Sequence, residues 1–250
     1  MRDRIAAGGT AEEDERSADW IPLLPASPTD AVVVGCGWGA VACALAAAGA
    51  RVHAVDVSAD RLAFLVVRAE QEGLDVRSVR VTPGDVLALE GTFDLVAYAD
   101  PAWPGGADVD GLAREAARLL RPGGHIAWRA DNAVVPGGGR RTAATTLRAR
   151  SAALRRQGFS DLVAYAPLPG RDIPFFHVPL GGGVGMRYFL THILPLVATA
   201  SPDTLRRYGV PLLLLTLAPY AASVPGLARL AETLVPGGLL IARRGTSRAR

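Results

Sequence analysis

The sequence contains no lysine, and this absence excludes one class of chemistry. All 27 basic residues of the 250-residue chain are arginines, so neither a lysine Schiff base nor a lysine general base is available. Cysteine is also scarce, because Cys36 and Cys43 are the two in the chain. We expect both to be small buried residues in a reducing compartment, not a disulfide. No cluster of histidine and cysteine has zinc-type spacing, so the sequence predicts no metal site.

Long apolar runs are missing as well. The leucine-rich segment Pro211–Leu217 is followed by Pro219 and Pro225 and is too short to span a bilayer. We expect it to be buried in the domain or in a homodimer interface, and we expect no membrane span. Residues 1–19 are acidic and contain no apolar signal core, which predicts a mobile tail and a cytoplasmic location.

The charges are distributed unevenly along the chain. Residues 1–139 carry 12 arginines and 20 acidic residues, a net charge of −8, whereas residues 140–250 carry 15 arginines and 4 acidic residues, a net charge of +11. Arginine binds phosphate and carboxylate groups in a bidentate manner and stays charged at any working pH. The charge asymmetry therefore favours an anionic partner for the C-terminal half, although part of the excess is explained equally well by a solvated helix surface.

The stretch from Val32 to Ser58 carries the strongest local pattern. A short β-branched run is followed by Gly35, Gly37 and Gly39, then by an alanine-rich helix and a second strand that ends at Asp56. Glycines allow a backbone to approach a ligand closely, and an acid at this distance can accept hydrogen bonds from ribose hydroxyls. Because the loop also satisfies G-x-G-x-x-A, this segment alone leaves a nicotinamide or flavin dehydrogenase open.

Strands and helices alternate along the rest of the chain, which predicts an α/β fold with a doubly wound, mostly parallel sheet. The predicted strands are Ala31–Val34, Arg51–Val55, Val76–Val81, Phe93–Tyr98, His125–Arg129, Leu162–Tyr165 and Leu239–Arg243, and the predicted helices are Ala40–Ala48, 58–73, Ala113–Leu120 and Arg140–Gln157. The segment Arg121–Gly124 is predicted to be a turn before the fifth strand.

Several motifs resemble the class I S-adenosylmethionine-dependent methyltransferases. They occur in family order over about residues 30–166, with a final strand at Leu239–Arg243, and they are Val34-Gly-Cys-Gly-Trp-Gly39, Val55-Asp-Val-Ser58, Gly84-Asp85, Phe93-Asp-Leu-Val96 and Leu119-Leu-Arg-Pro-Gly-Gly124. A dehydrogenase needs neither Gly84-Asp85 nor the Arg-Pro-Gly-Gly segment. The resemblance therefore implies a seven-stranded Rossmann-like sheet and S-adenosylmethionine as the cofactor.

The resemblance also implies which residues hold the cofactor. The glycine loop would lie against its methionine portion, Asp56 would bind the ribose hydroxyls, and Asp85 would accept a hydrogen bond from the adenine amino group. The full predicted set is Gly35, Cys36, Gly37, Trp38, Gly39, Asp56, Val57, Gly84, Asp85, Val86 and Tyr98. The family often has an acid two residues before the first glycine, where this chain has Val33, so the methionine amino group needs another contact.

The acceptor is expected beyond the carboxyl ends of strands four and five. There, Asp100-Pro-Ala-Trp103 resembles the Asp/Asn-Pro-Pro-aromatic signature of methyltransferases that act on planar amino groups, with Ala102 in place of the second proline. Asp100 is predicted to be catalytic and Trp103 to bind substrate. The alternative is that Asp100 begins an ordinary loop and Trp103 covers the cofactor.

The segment between the last two strands is longer than the short hairpin that is common in this fold. Residues 167–235 are predicted to form a substrate-covering or dimerising insertion between an N-terminal segment 1–24, a core 25–166, and a final strand and basic tail 236–250. Within the insertion, His177 and Tyr188 are predicted catalytic residues. Arg171 and Arg187 flank the glycine-rich segment 181–185, which has the composition of a mobile lid, and are predicted to bind an anionic substrate.

Two functions remain open. The favoured prediction is an enzyme that methylates a small-molecule or saccharide-type biosynthetic metabolite, because the Leu-Arg-Pro-Gly-Gly pattern is commonest among small-molecule enzymes of the family. The alternative is an N-methyltransferase acting on planar amino groups of RNA, DNA or protein. A partner protein that binds the cofactor without catalysis is a third, more distant reading.

Overall fold

The structure is a computed structural model that describes residues 18–82, 89–100, 108–131, 146–168, 176–180, 192 and 237–245. These residues form one mixed α/β layer structure with helices on both faces of a central sheet. The strands are β1 Asp30–Val34, β2 Arg51–Asp56, β3 Val76–Arg80, β4 Phe93–Tyr98, β5 Leu120–Asp131, β6 Phe159–Leu168, β7 Phe176–Pro179 and β8 Gly237–Arg244. The helices are α1 Ala40–Ala47, α2 Ala59–Glu72, α3 Val109–Leu119 and α4 Leu147–Arg156, preceded by a short 3-10 helix at Ile21–Leu23.

The strand order is β3-β2-β1-β4-β5-β8-β6-β7. Strands β3, β2, β1, β4 and β5 are parallel, and β8 lies antiparallel between β5 and β6. The doubly wound, mostly parallel prediction is therefore confirmed. Because β8 is antiparallel to both β5 and β6, β6 runs in the same direction as the five parallel strands. The carboxyl ends of these six strands therefore lie at one edge of the sheet, here called the carboxyl edge.

The alternation of side chains along the strands creates two cores. Val34, Val96 and Trp128 belong to the core beneath α3 and α4. Val33 and Ala127 belong to the opposite core, which is covered by α1, α2 and Trp20, a residue of the segment before β1. The central strands are apolar on both faces because both faces are covered, as expected for a parallel sheet.

Local sequence signals account for the limits of helix α2. The Ser58 hydroxyl accepts a hydrogen bond from the backbone N–H of Arg61 at 3.3 Å, which caps the free amides of the first turn. Gly73 ends the helix in the left-handed conformation, with φ of 66°. The predicted bounds of this helix are confirmed.

The two predicted strands that flank the inserted segment pair with each other, as predicted. Tyr165 of β6 faces Leu239 of β8 in an antiparallel arrangement. The inserted segment adds a strand that the sequence reading missed, because β7 pairs antiparallel with β6 and gives the sheet eight strands instead of seven. Val178 of β7 is buried beside the core, which explains why this short run forms a strand although it ends in a proline.

The Arg-Pro-Gly-Gly prediction also needs correction. Residues Arg121 to Gly124 belong to β5 and do not form a separate turn, although the pairing with β4 shifts in register between Phe93 and Leu95. A Cβ atom at Gly124 would lie 3.0 Å from the carbonyl oxygen of Asp94, so the close strand approach requires glycine here. Helix α3 begins four residues earlier than predicted, at Val109, because Asp108 caps it.

Candidate functional site at the carboxyl edge

The topology brings the chemically distinctive segments of the sequence to the carboxyl edge. The glycine loop follows β1, Asp56 ends β2, and Asp100 follows β4. In an open α/β sheet, ligands bind outside the carboxyl ends of the strands where the strand order reverses. Here β1 is that point, because the chain proceeds from β1 to β2 on one side and places β4 on the other.

The glycine loop has backbone φ angles that residues other than glycine adopt only with strain. Gly35, Gly37 and Gly39 all have positive φ angles, of 66°, 59° and 95°. A Cβ atom on Gly39 would in addition overlap the buried Leu65 side chain of α2. The loop therefore turns sharply and lies close to α2, and helix α1 starts immediately after it with amide groups directed toward the turn.

Asp56 joins the end of β2 to this loop. Its Oδ2 atom accepts a hydrogen bond from the backbone N–H of Gly37 at 3.0 Å, and Oδ1 accepts one from Ser58 at 2.9 Å. Arg61 lies 4.0 Å from Oδ2. The residue is 1% exposed. Each carboxylate oxygen has two lone-pair directions, so these contacts leave acceptor capacity for hydroxyl groups of a ligand.

Trp38, in the middle of the glycine loop, packs against Phe64 of α2. The two rings meet edge to face, with centroids 5.4 Å apart. The indole Nε1 atom is buried and has no hydrogen-bond acceptor among the residues that the structure describes. A buried N–H group without an acceptor costs free energy, so this donor is suited to an acceptor supplied by a ligand.

The other predicted cofactor contacts differ in accessibility. Cys36 is buried, whereas Val57 is 37% exposed beside the end of β2, where a ligand can contact it. Tyr98 is fully buried, packs on Trp128 at 5.0 Å between ring centroids, and donates its hydroxyl to the carbonyl of Leu112 at 3.1 Å. Its side chain thus belongs to the core, and its role in cofactor binding stays a prediction.

Asp100 lies two residues after the end of β4, at the carboxyl edge, and is partly buried. Its position agrees with a location beside the acceptor, and its catalytic role stays a prediction. The remaining predicted residues Gly84, Asp85, Val86, Trp103, Arg171, Arg187 and Tyr188 lie outside the described residues. No group of three or more His, Cys, Asp or Glu side chains suited to a metal ion occurs in the described part of the chain.

His177 lies on β7 beside an acid that the sequence did not indicate. Its Nε2 atom is 3.7 Å from Oδ1 of Asp19, and the side chains are 12% and 29% exposed. Burial lowers the pKa of His177 against the opposing effect of Asp19, while burial raises the pKa of Asp19 against the effects of His177 and Arg129. Asp19 lies 158 residues from His177 in the chain and within an acidic stretch, so no local pattern distinguished it.

No helix in the described ranges has both the length and the apolar character that a bilayer crossing requires.

The glycine loop and Asp56 fit the cofactor that the sequence motifs imply. The loop leaves room for close backbone approach, Asp56 retains acceptor capacity, and the Trp38 N–H group is a donor without an acceptor among the described residues. S-adenosylmethionine supplies the matching groups, because it carries ribose hydroxyls and a carboxylate.

Comparisons with known proteins agree with this fit. Residues 31–124 match a family described as "Methyltransferase domain". A curated relative, the ubiquinone biosynthesis O-methyltransferase of Ralstonia nicotianae, is 31% identical over 117 residues, which cover 43% of this chain and 46% of that protein. The chain thus aligns with about half the length of this relative.

Solved structures share the fold at low sequence identity. A proposed sarcosine dimethylglycine methyltransferase of Galdieria sulphuraria is 12% identical with a TM-score of 0.55, covering 94% of this chain and 86% of that one. Phosphoethanolamine N-methyltransferase 2 of Haemonchus contortus, crystallised with S-adenosyl-L-methionine, is 16% identical with a TM-score of 0.55, covering 95% and 53%. The motifs, the sheet order and the match over residues 31–124 together identify this part of the chain as similar to the class I S-adenosylmethionine-dependent methyltransferases.

Proposed function

We propose that this protein transfers the methyl group of S-adenosylmethionine to a small, anionic biosynthetic metabolite. The observation that carries the proposal is the hydrogen bond between Gly37 and Asp56 at the carboxyl edge, which holds a glycine loop and a ribose-binding acid together. The curated relative is named as an O-methyltransferase of ubiquinone biosynthesis, which supports a small molecule and an oxygen acceptor.

The cofactor supplies an activated methyl group, so the chemistry demands little more than alignment and exclusion of water. In this proposal, Asp56 accepts hydrogen bonds from ribose hydroxyls and Val57 contacts the base. Trp38 donates its indole N–H to the methionine carboxylate, which gives the buried nitrogen an acceptor. Asp100 lies where a group can orient the acceptor or take its proton.

The anionic character of the substrate is inferred from the excess of positive charge in the C-terminal half of the sequence. The C-terminal half has an excess of arginine, and Arg171 and Arg187 flank a glycine-rich segment suited to close over a substrate. Among the described arginines of this half, Arg156 forms a salt bridge with Asp110 at 2.7 Å and thus stabilises the contact between α4 and α3. Some of the excess is therefore structural, and the proposal depends on the two arginines near the glycine-rich segment.

A second function, N-methylation of a planar amino group in RNA, DNA or protein, is supported by the sequence Asp100-Pro-Ala-Trp103, which follows β4 along the chain. In that case the Asp100 carboxylate accepts from the amino group and Trp103 stacks on its ring. The distinction lies in the size and the chemistry of the acceptor, because both functions use the same cofactor site.

The test has two stages. First, thermal-shift titration compares S-adenosylmethionine, its demethylated product and NAD, and we expect stabilisation by the first two alone. Next, protein incubated with methyl-labelled cofactor receives separate pools of metabolites, RNA, DNA and protein. Label in the metabolite pool supports the proposal, and label in a macromolecular pool supports the second function. Stabilisation by NAD alone would overturn both.

A further inference from the structure

A cavity of about 220 Å³ lies at the opposite edge of the sheet from the glycine loop, where β1, β2, β3 and β4 begin. This edge is here called the amino edge. The cavity lining combines charged side chains with the rings of His53 and Phe93. Pockets for drug-sized ligands usually measure about 300–1,000 Å³, so this cavity suits a smaller metabolite. The proposed function does not account for it, because the cofactor and the acceptor are assigned to the carboxyl edge.

The floor of the cavity is part of the sheet face that carries α3 and α4. Val52 and Ala54 belong to the core beneath α1 and α2, so His53, which lies between them on β2, points to the other face. Arg77 of β3 is the register partner of His53 and lies on the same face. The ring of Phe93 meets the imidazole edge to face, with centroids 5.3 Å apart. Burial lowers the pKa of His53, so the imidazole is neutral near neutral pH and adds no charge to this floor.

One wall of the cavity is the segment that leads into β4, and its backbone is held at two points. The Arg118 guanidinium of α3 donates two hydrogen bonds to the carbonyl oxygen of Leu89, both at 3.1 Å. Gly91 has a φ of 111°, a conformation that favours glycine, and turns the chain toward β4. Glu90 lies between these two points and lines the cavity. Its carboxylate is therefore presented from an anchored backbone.

Some charged side chains of the cavity are paired with each other, and others are not. Asp30 forms salt bridges with both Arg51, at 2.7 Å, and Arg121, at 2.8 Å, which neutralises much of this part of the lining. Arg77 and Glu90 line the same cavity, and neither forms an ion pair or a side-chain hydrogen bond with a residue that the structure describes. A guanidinium and a carboxylate of this kind match a ligand that carries both an anionic and a cationic group.

We propose that this cavity binds a small zwitterionic amino acid, whose carboxylate accepts hydrogen bonds from Arg77 and whose ammonium group donates to Glu90. The rings of His53 and Phe93 contact its methylene chain. Two strands lie between β3 and β4, so their backbones are roughly 14 Å apart at the usual strand spacing. We therefore expect the charged groups of the ligand to be several bonds apart, at the ends of a straight chain. This site goes beyond the proposed function, since it uses no group of the methyl-transfer site.

Calorimetric titration with straight-chain amino acids of increasing length tests the site. The panel is glycine, β-alanine, γ-aminobutyrate, δ-aminovalerate and ε-aminocaproate, each compared with the amine and the carboxylic acid of equal chain length. S-adenosylhomocysteine is kept saturating, so that no amino acid binds where the methionine portion of the cofactor is proposed to lie. We expect the affinity to peak at one chain length, roughly tenfold above both analogues, because each analogue lacks one of the two charged groups.

Variants assign the two ends of the ligand. Arg77→Met should remove the preference for the amino acid over the amine, and Glu90→Gln should remove the preference over the carboxylic acid. The double variant Arg77→Glu with Glu90→Arg should recover part of the affinity, because a zwitterion can bind in the reverse orientation. A purely structural effect of the single variants would not be recovered in this way. Arg80→Met, at an exposed position on the same strand whose side chain points to the other face, is the matched control.

The outcomes distinguish this site from the proposed function. If no amino acid of the panel binds, or if each binds no more tightly than its two analogues, the site is overturned. Unchanged ligand preferences in Arg77→Met and Glu90→Gln overturn it as well. Failure of S-adenosylhomocysteine to bind overturns the proposed function alone, because the amino edge is titrated in the same way without that compound.

Discussion

The backbone N–H of Gly37 donates to Oδ2 of Asp56 at 3.0 Å, so the carboxylate that ends β2 also orders the glycine loop after β1. Asp56 thus has a structural role in addition to its predicted role at the ribose. A substitution of Asp56 should affect both the stability of the glycine loop and the binding of the cofactor. The two effects can be separated, because cofactor affinity is measured with ligand and stability is measured without it.

Asp56→Ala should weaken binding of S-adenosylmethionine by about 1–3 kcal/mol, the scale for losing hydrogen bonds to a charged group. Calorimetric titration measures this change, and urea unfolding without ligand measures the structural part. Asp60→Ala removes the same charge from an exposed position in the first turn of α2 and serves as the control. Equal affinities in the wild-type protein and Asp56→Ala would contradict the predicted ribose contact.

Gly39→Ala should destabilise the protein through two additive effects. The positive φ of 95° costs an alanine about 1–2 kcal/mol, and overlap with Leu65 adds a further cost. Gly49→Ala is a matched control, because its φ is 96° and a Cβ atom there meets no atom within 4 Å. Urea denaturation of both variants isolates the effect of the overlap. If the two variants lost the same stability, the close packing of the loop on α2 would be refuted.

Asp100→Asn should reduce turnover roughly 100-fold or more while leaving cofactor affinity nearly unchanged, if Asp100 positions or deprotonates the acceptor. Steady-state kinetics with an identified acceptor, together with cofactor titration, measures both quantities. Asp75→Asn, at an exposed position before β3, makes the same chemical change away from the carboxyl edge. Unchanged turnover in Asp100→Asn would assign Asp100 to the start of a loop.

Glu115 of α3 should make stability depend on pH. The residue is 5% exposed, its Oε1 atom has no hydrogen-bond partner in the described part of the chain, and burial raises its pKa to about 7. Because the folded state favours the protonated carboxyl, this contribution to stability is complete below the ordinary glutamate pKa. It declines as the pH rises toward 7, by up to about 3 kcal/mol.

Glu115→Gln should remove this pH dependence and make the protein more stable than wild type above pH 7. Chemical denaturation between pH 4 and pH 9 measures the difference between the two proteins. Glu70→Gln, at an exposed position on α2, is the control and should follow the wild-type curve. Parallel curves for wild type and Glu115→Gln would show that the carboxyl ionises normally.

Arg187→Ala should raise the Michaelis constant of an anionic acceptor, and added salt should raise the constant of the wild-type enzyme through screening. Arg148→Ala removes an exposed arginine from α4 and should follow the wild-type response. A constant that is insensitive to both salt and Arg187→Ala would leave the arginines of the glycine-rich segment as solubilising surface.

The central fold could be predicted because its signals are local. The runs that form β1 and β4 are short and apolar, and Ser58 and Gly73 mark the ends of the amphipathic helix α2 in the sequence. The spacing of the glycines likewise predicted the position of the loop after β1, and Asp56 is the last residue of β2, as predicted. These features depend on neighbours a few residues away, so a single sequence contains them.

The remaining features depend on contacts between distant segments. Strand β7 is four residues long, and its partner β6 holds it in the sheet, so its own pattern was too short to predict it. The Asp19–His177 pair joins residues that are 158 positions apart in the chain, and no spacing rule connects them. The core position of Tyr98 depends on Trp128 and the Leu112 carbonyl, which only the folded structure brings together.

Within the part of the chain that the structure describes, the two outermost strands of the sheet are β3 and β7, and both disfavour pairing with a second copy. β7 is short and ends in Pro179, which cannot donate a backbone hydrogen bond, and β3 presents Arg77 and Arg80 as exposed side chains. A second copy that tried to extend the sheet at either border would meet a missing donor on one side and like charges on the other. Pairing of two copies of the sheet, edge to edge, is therefore disfavoured at both of these strands.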